Sequence, residues 1–244
     1  MSRSSAASSL SPARPNVPLI IVCGCLIALL SFGPRSALGM FLLPMTEARG
    51  WSREIFALAL AIQNLTWGAA QPFAGMLADR YGTARVFAGG VVIYSLGLVA
   101  MAYAGTPVWL HVSAGVMIGI GIAASSFALV IAAFGRVVTP GQRSMAFGIG
   151  TASGSMGQFV FGFLAPPLID GLGWQVALIA MGGLMLAALP LTLALRGKSE
   201  HVPSHANEKE QNLKQAVAEA FGTRGYILLT FGFFVCGFHV AFIP

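Results

Sequence analysis

Hydrophobic positions along this chain come in long blocks, not in the short alternating runs of strands or the half-polar pattern of soluble helices. Each block has roughly 20 residues or more, the length an α-helix needs to cross the hydrocarbon core of a bilayer. Seven such blocks lie at about 17–44, 54–78, 84–104, 108–135, 145–168, 174–195 and 225–244. The first six are joined by short loops. Residues 197–224, GKSEHVPSHANEKEQNLKQAVAEAFGTR, form one long polar connection. Its second half, about Glu208 to Phe221, sets Leu213, Val217 and Ala220 at helical spacing with charge on the other side. That pattern predicts an amphipathic helix along the membrane surface.

The pattern therefore predicts an all-α membrane protein in four parts. These are a disordered leader (1–16), a six-helix transmembrane domain (17–196), the linker (197–224) and a seventh transmembrane helix (225–244). Six spans, a long loop and one more span resemble the opening of a twelve-helix plan with two six-helix halves. Nothing after the seventh block closes it, so the sequence reads as an N-terminal fragment whose main partner is its missing C-terminal half. Spans 1–3 and 4–6 are candidates for an inverted pair.

Composition supports the membrane reading. The chain is 56% hydrophobic and only 9% charged, against about 25% charged in soluble domains. The net charge of +6 would suit nucleic acid, but its placement argues otherwise. With the N-terminus cytoplasmic, 11 of the 14 basic residues fall inside: Arg3, Arg14, Arg80, Arg85, Arg136, Arg143, Arg196, Lys198, Lys209, Lys214 and Arg224. Only Arg49 and Arg53 fall outside, and Arg35 lies within a span. This is the positive-inside bias, which makes the charge a topology signal. The basic leader is followed by an apolar run too long for a signal peptide's core, so span 1 is retained. Cys23, Cys25 and Cys236 all lie in spans and read as small buried apolar residues. Trp51, Trp109 and Trp174 lie near the outer boundary and read as interface anchors.

Two loop regions carry motifs. Residues 75–86 read GMLADRYGTARV. Gly75, Leu77, Ala78, Asp79, Arg80 and Gly82 match the signature between helices 2 and 3 of the major facilitator superfamily, which this stretch resembles; Thr83 and Ala84 stand where the family often has Arg or Lys. The resemblance implies a cytoplasmic gate. Gly75 permits close helix approach, Gly82 makes the tight turn, and Asp79 faces a helix N-terminus or an arginine, with Arg136 at the end of span 4 the partner this chain offers. Residues 140–158, PGQRSMAFGIGTASGSMGQ, resemble the fifth-helix signature of monocarboxylate-transporter-like proteins at Arg143, Ala146, Gly148, Ile149, Ser153 and Gly154. DGLGWQVAL at 170–178 and FFVCGFHVAFIP in span 7 are similar to the same branch, which includes oxalate/formate-exchanger-like proteins. Gly150 with Gly154, and Gly115 with Gly119, are four apart and read as helix-packing faces.

Arg35 is the one charge deep in a span. If span 1 runs from about Asn16 to Glu47, Arg35 lies roughly 5 Å past its middle at 1.5 Å rise per residue, too deep to snorkel easily. Pro34 removes the N–H partner of the Leu30 carbonyl and Gly33 loosens the same turn, which predicts a broken helix at the midplane, tolerated where it lines a cavity. A fixed cation there attracts small anions. In monocarboxylate-transporter-like proteins a basic residue follows a proline at this place, and the resemblance implies a substrate role for Arg35; a structural ion pair or carbonyl clamp is the alternative. Gln63, Asn64, Gln71, Gln158 and His239 are further polar groups in mid-span. Gln63 and Gln158 are placed either to bond a carboxylate or to bond neighbouring helices. His239 is placed either to carry a proton or to donate in packing.

No nucleotide-binding loop, zinc spacing or nucleophile–base pair is present, so neither an enzyme nor a cofactor is indicated. The resemblance implies a carrier in the plasma (bacterial inner) membrane that moves small organic anions by proton symport or by anion exchange (antiport). A carrier of a drug or sugar and a non-transporting anion sensor are the alternatives.

Overall fold

The computed structural model describes residues 17–193, 219 and 221–242. The leader and nearly all of the linker, with its amphipathic segment, lie outside them. Among the described residues the regular structure is helical throughout. The first span is α1 (Val17–Ala37), a 3-10 turn (Leu38–Phe41) and α2 (Leu42–Arg49). Next come α3 (Arg53–Tyr81) and α4 (Thr83–Ala102). The fourth block holds α5 (Pro107–Leu110), a π-helical stretch (His111–Met117), α6 (Ile118–Ala124) and α7 (Phe127–Val137). Then follow α8 (Arg143–Leu172), α9 (Trp174–Leu186) and α10 (Ala188–Thr192), and finally α11 (Arg224–Phe242). Residues up to Lys198 form one compact unit, and Ser199–Pro244, which contains α11, a second.

Among the described residues, four segments are long and apolar enough to cross a membrane: Val17–Arg49, Thr83–Ala102, Pro107–Gly135 and Trp174–Thr192. Helices α3 and α8 have ample length, 29 and 30 residues, but Gln63, Asn64 and Gln71 in one, and Thr151, Ser153 and Gln158 in the other, dilute their apolar character.

Within the first unit, α1 packs chiefly on α8, α3 on the π-helical stretch and α6, and α4 on α6 and α9. Glycines set these close approaches. A Cβ at Gly157 would overlap the Leu29 carbonyl of α1, and one at Gly33 would overlap the Phe161 ring of α8. A Cβ at Gly121 would lie 2.7 Å from the Tyr94 backbone. Phe41, Phe56, Phe87, Tyr94, Phe134 and Phe161 fill the core and are fully buried.

The helix interruption differs from the one the sequence suggests. α1 runs through Pro34 without breaking and tightens only at Leu38–Phe41. Gly33 and Pro34 are buried, and the Ser36 hydroxyl bonds the Gly33 carbonyl at 2.7 Å, so neighbours and a local hydroxyl hold the loosened turn. The pronounced interruption is in the fourth block. Its helix changes pitch over His111–Met117 and stops at Ser125–Ser126, a pair of small polar residues, before α7 begins. Such pairs and π-helical turns are recognised causes of helix irregularity.

Candidate functional site

The site grows from Arg35, whose half-buried side chain leaves α1 toward α3. Its Nη2 donates to Asn64 Oδ1 at 2.8 Å. Asn64 Nδ2 in turn donates to the Leu60 carbonyl of its own helix at 3.0 Å. That second bond fixes the amide orientation, since only the oxygen is left to face the guanidinium. Three residues further along α3, on the same helix face, Trp67 lies under the guanidinium with the Arg35 carbon 4.7 Å from the ring centroid. Tyr94 on α4 is fully buried, within electrostatic range of Arg35.

These partners are neutral, so the cation keeps its whole charge. Ser31 Oγ, Arg35 Nε, Trp67 Nε1 and the Tyr94 hydroxyl are also buried without a hydrogen-bond partner among the described residues. Ser31 is one helical turn from Arg35 on the same face. All four groups can donate. Each unsatisfied buried group costs about 1–3 kcal/mol, a cost that a small anion accepting these bonds would relieve.

The other candidate residues separate into groups. Gln63 bonds a neighbouring helix, one of the two roles open to it. It is 3% exposed and its Nε2 donates to the Ala114 carbonyl at 2.8 Å, in the π-helical stretch. This bond ties α3 to the fourth block and leaves the second N–H and the Oε1 of the amide for other partners. Gln71 Nε2 donates to Ser126 Oγ at 2.8 Å, bridging α3 to the interruption before α7. Gln158 is exposed on α8, next to the Gly157 that meets α1. His239 lies on α11, and its side chain is outside the described residues.

Among the residues expected at a gate, Gly75 is half-buried, and Asp79 and Arg80 are exposed. The Arg80 guanidinium carbon lies 5.5 Å from the Tyr81 ring centroid. Gly82 turns the chain with φ 93°, its N–H bonded to the Ala78 carbonyl at 2.9 Å. Arg143 Nη2 bonds the Gly135 carbonyl at 3.3 Å, capping the last turn of α7. The side chain of Arg136 lies outside the described residues, so its pairing with Asp79 does too. Gly115 faces Ile62 and the Ala59 carbonyl, and Gly119 faces Thr66 and the Gln63 carbonyl; Gly150 faces Phe127 and Phe134, and Gly154 faces Phe32.

The family model described as Major Facilitator Superfamily matches residues 24–244. The chain belongs to the major facilitator superfamily. Its similarity is to the monocarboxylate-transporter-like branch. It is 33% identical over 175 residues to mouse (Mus musculus) monocarboxylate transporter 11, covering 68% of this chain and 37% of that protein. The human (Homo sapiens) protein of the same name is 29% identical over 223 residues, covering 87% of this chain and 46% of that protein. Probable anion transporter 4, chloroplastic, of Arabidopsis thaliana is 27% identical over 188 residues, covering 74% of this chain and 34% of the relative. The chain thus spans less than half the length of these curated relatives. Membership of this superfamily makes the chain part of an integral membrane protein, in keeping with its long apolar helices.

Trp67 and Tyr94 had no signal of their own in the sequence, because an aromatic residue in an apolar span looks like core. Asn64 stood out as a polar residue in mid-span, but nothing in the spacing links it to a residue 29 positions away. The interruption in the fourth block had one usable signal, the Ser125–Ser126 pair within an apolar run.

Proposed function

We propose that this protein is a secondary active transporter of small organic anions, monocarboxylates or dicarboxylates, working by proton symport or anion exchange with alternating access about a midplane site. One observation carries the reading: a guanidinium deep in span 1 with no acidic partner among the described residues, held by Asn64 and Trp67 beside buried donors that have no partner among them either. Arg35 holds the carboxylate. Trp67 and Tyr94 line the place where it sits, Gln63 and Gln158 are its candidate helpers, and His239 is a candidate proton carrier. Gly75, Asp79, Arg80, Gly82, Arg136 and Arg143 serve the cytoplasmic gate. The chain crosses the plasma (bacterial inner) membrane seven times with its N-terminus and the 197–224 loop in the cytoplasm, as its basic residues favour. The names of the relatives, monocarboxylate transporter and probable anion transporter, support this substrate class.

The test is uptake of radiolabelled lactate and oxalate into proteoliposomes, with the protein expressed from its full open reading frame. Arg35→Ala should abolish uptake while membrane insertion and yield stay normal. Uptake at the wild-type rate in that variant would reject the assignment.

A further inference from the structure

Away from the Arg35 site, α3, α4 and α6 enclose an open groove of about 470 Å³. We propose that this groove binds one acyl chain of an anionic phospholipid, with Arg85 holding the lipid's phosphate at its mouth.

The groove walls are apolar, and some are strongly exposed. Phe73 is 59% and Leu77 48% accessible. Phe73, Leu77 and Tyr81 are four residues apart and form one stripe on α3. Asp79 lies about 200° around the helix from both Leu77 and Tyr81 at 100° per residue, so that carboxylate is on the other face. Two adjacent glycines on α4 build the groove. A Cβ at Gly90 would lie 2.7 Å from the Ala124–Ser125 backbone, so α4 rests directly on the end of α6. A Cβ at Gly89 would meet nothing within 4 Å, so the space beside it stays open.

Length and charge identify the occupant. From Ala70 to Tyr81 the groove follows α3 for about 16 Å, at 1.5 Å rise per residue. One leaflet of the hydrocarbon core is about 15 Å deep. A lipid tail therefore fits end to end, with its headgroup at the Tyr81 and Arg85 end. There the groove meets the exposed Arg85, and Arg80 lies against Tyr81. Basic side chains over an apolar slot complement a phosphate ester carrying a tail. A peptide helix would gain little from a cationic rim at one end only.

The experiment is native mass spectrometry of the detergent-purified protein with equimolar phosphatidylglycerol and phosphatidylcholine. The wild type should retain one phosphatidylglycerol with about fivefold preference, the scale expected for one basic residue at a membrane surface. Arg85→Gln should bring that preference close to one. Gly89→Leu fills the groove and should reduce retention of both lipids. Equal retention of the two lipids by the wild type overturns the proposal, as does an unchanged preference in Arg85→Gln. If Gly89→Leu misfolds in a thermal-melt control, the exposed Arg85→Gln still decides. Retention of no lipid by the wild type also overturns it, and means that another part of the polypeptide covers the groove.

Discussion

Arg35 sits among groups that orient its charge without cancelling it. A carboxylate partner would form an ion pair and leave little field for a ligand. Asn64 supplies one oxygen, and Trp67 supplies the negative face of its ring. A hydrogen bond to a charged group contributes about 1.5–3 kcal/mol, and a desolvated cation–π contact about 2 kcal/mol. On the anion-transport reading, Asn64→Leu should therefore raise KM for carboxylate uptake by roughly tenfold, since about 1.4 kcal/mol is lost from holding the guanidinium in place. Uptake kinetics in proteoliposomes check this, and an unchanged KM would mean Asn64 does not position Arg35. Trp67→Phe keeps a ring under the cation but removes the indole N–H, whereas Trp67→Leu removes both. A larger KM effect in Trp67→Leu than in Trp67→Phe would assign the role to the ring face; equal effects would assign it to the N–H. Arg35 stood out in the sequence because a charge deep in an apolar run is costly. The choice between Gln63 and Asn64 was not legible. They are adjacent, and one helical step of 100° separates a side chain bonding the Ala114 carbonyl from one facing Arg35. Sequence gives the spacing along α3 but not its rotation against α1.

At the scale of helices, the block boundaries were readable because loops between apolar runs are polar and glycine-rich. The internal irregularities were not, because Pro34 is held in a continuous α1 by its packing while the fourth block breaks at two serines. The turn between α3 and α4 has a counterpart between α8 and α9. LADRYG (77–82) and LIDGLG (168–173) share Leu, Asp and Gly at the same spacing. Gly82 and Gly173 have φ 93° and 83° and ψ 140° and 153°, and each N–H bonds the carbonyl four residues back, at 2.9 and 3.0 Å. A side chain in this left-handed region strains the backbone. Gly82→Ala and Gly173→Ala should each lower stability by about 1–2 kcal/mol, read as similar drops in the thermal unfolding midpoint in detergent. Gly75→Ala is the contrast, since a Cβ there meets nothing within 4 Å and alanine is the better helix former by about 1 kcal/mol. Its melt should be unchanged or higher. A drop as large as that of Gly82→Ala would show that more of the polypeptide packs against Gly75.

At the scale of the whole molecule, the helix pairing of the first unit maps onto itself when spans 1, 2 and 3 are exchanged with 4, 5 and 6. The α1–α8 pair corresponds to the pairing of α3 with the fourth block, and α4–α9 corresponds to itself. The α4–α6 pair corresponds to the contacts of α1 with α9 and α10. With the paired turns at Gly82 and Gly173, this supports two inverted three-helix repeats, an arrangement in which the two turns lie on opposite sides of the membrane. The basic residues choose which side is which: Arg80 and Arg85 flank the first turn, while the second has no Lys or Arg between Arg143 and Arg196. On the orientation proposed above, the first turn faces the cytoplasm. Single cysteines test this in a background with Cys23, Cys25 and Cys236 replaced by alanine. In intact cells a membrane-impermeant maleimide should label Arg53→Cys and Asp170→Cys, and should label Arg85→Cys only after the membrane is opened. Labelling of Arg85→Cys from outside would reverse the orientation and move the gate to the other face. Labelling of Asp170→Cys and Arg85→Cys from the same side would end the inverted-repeat reading, because the two turns would then share one surface.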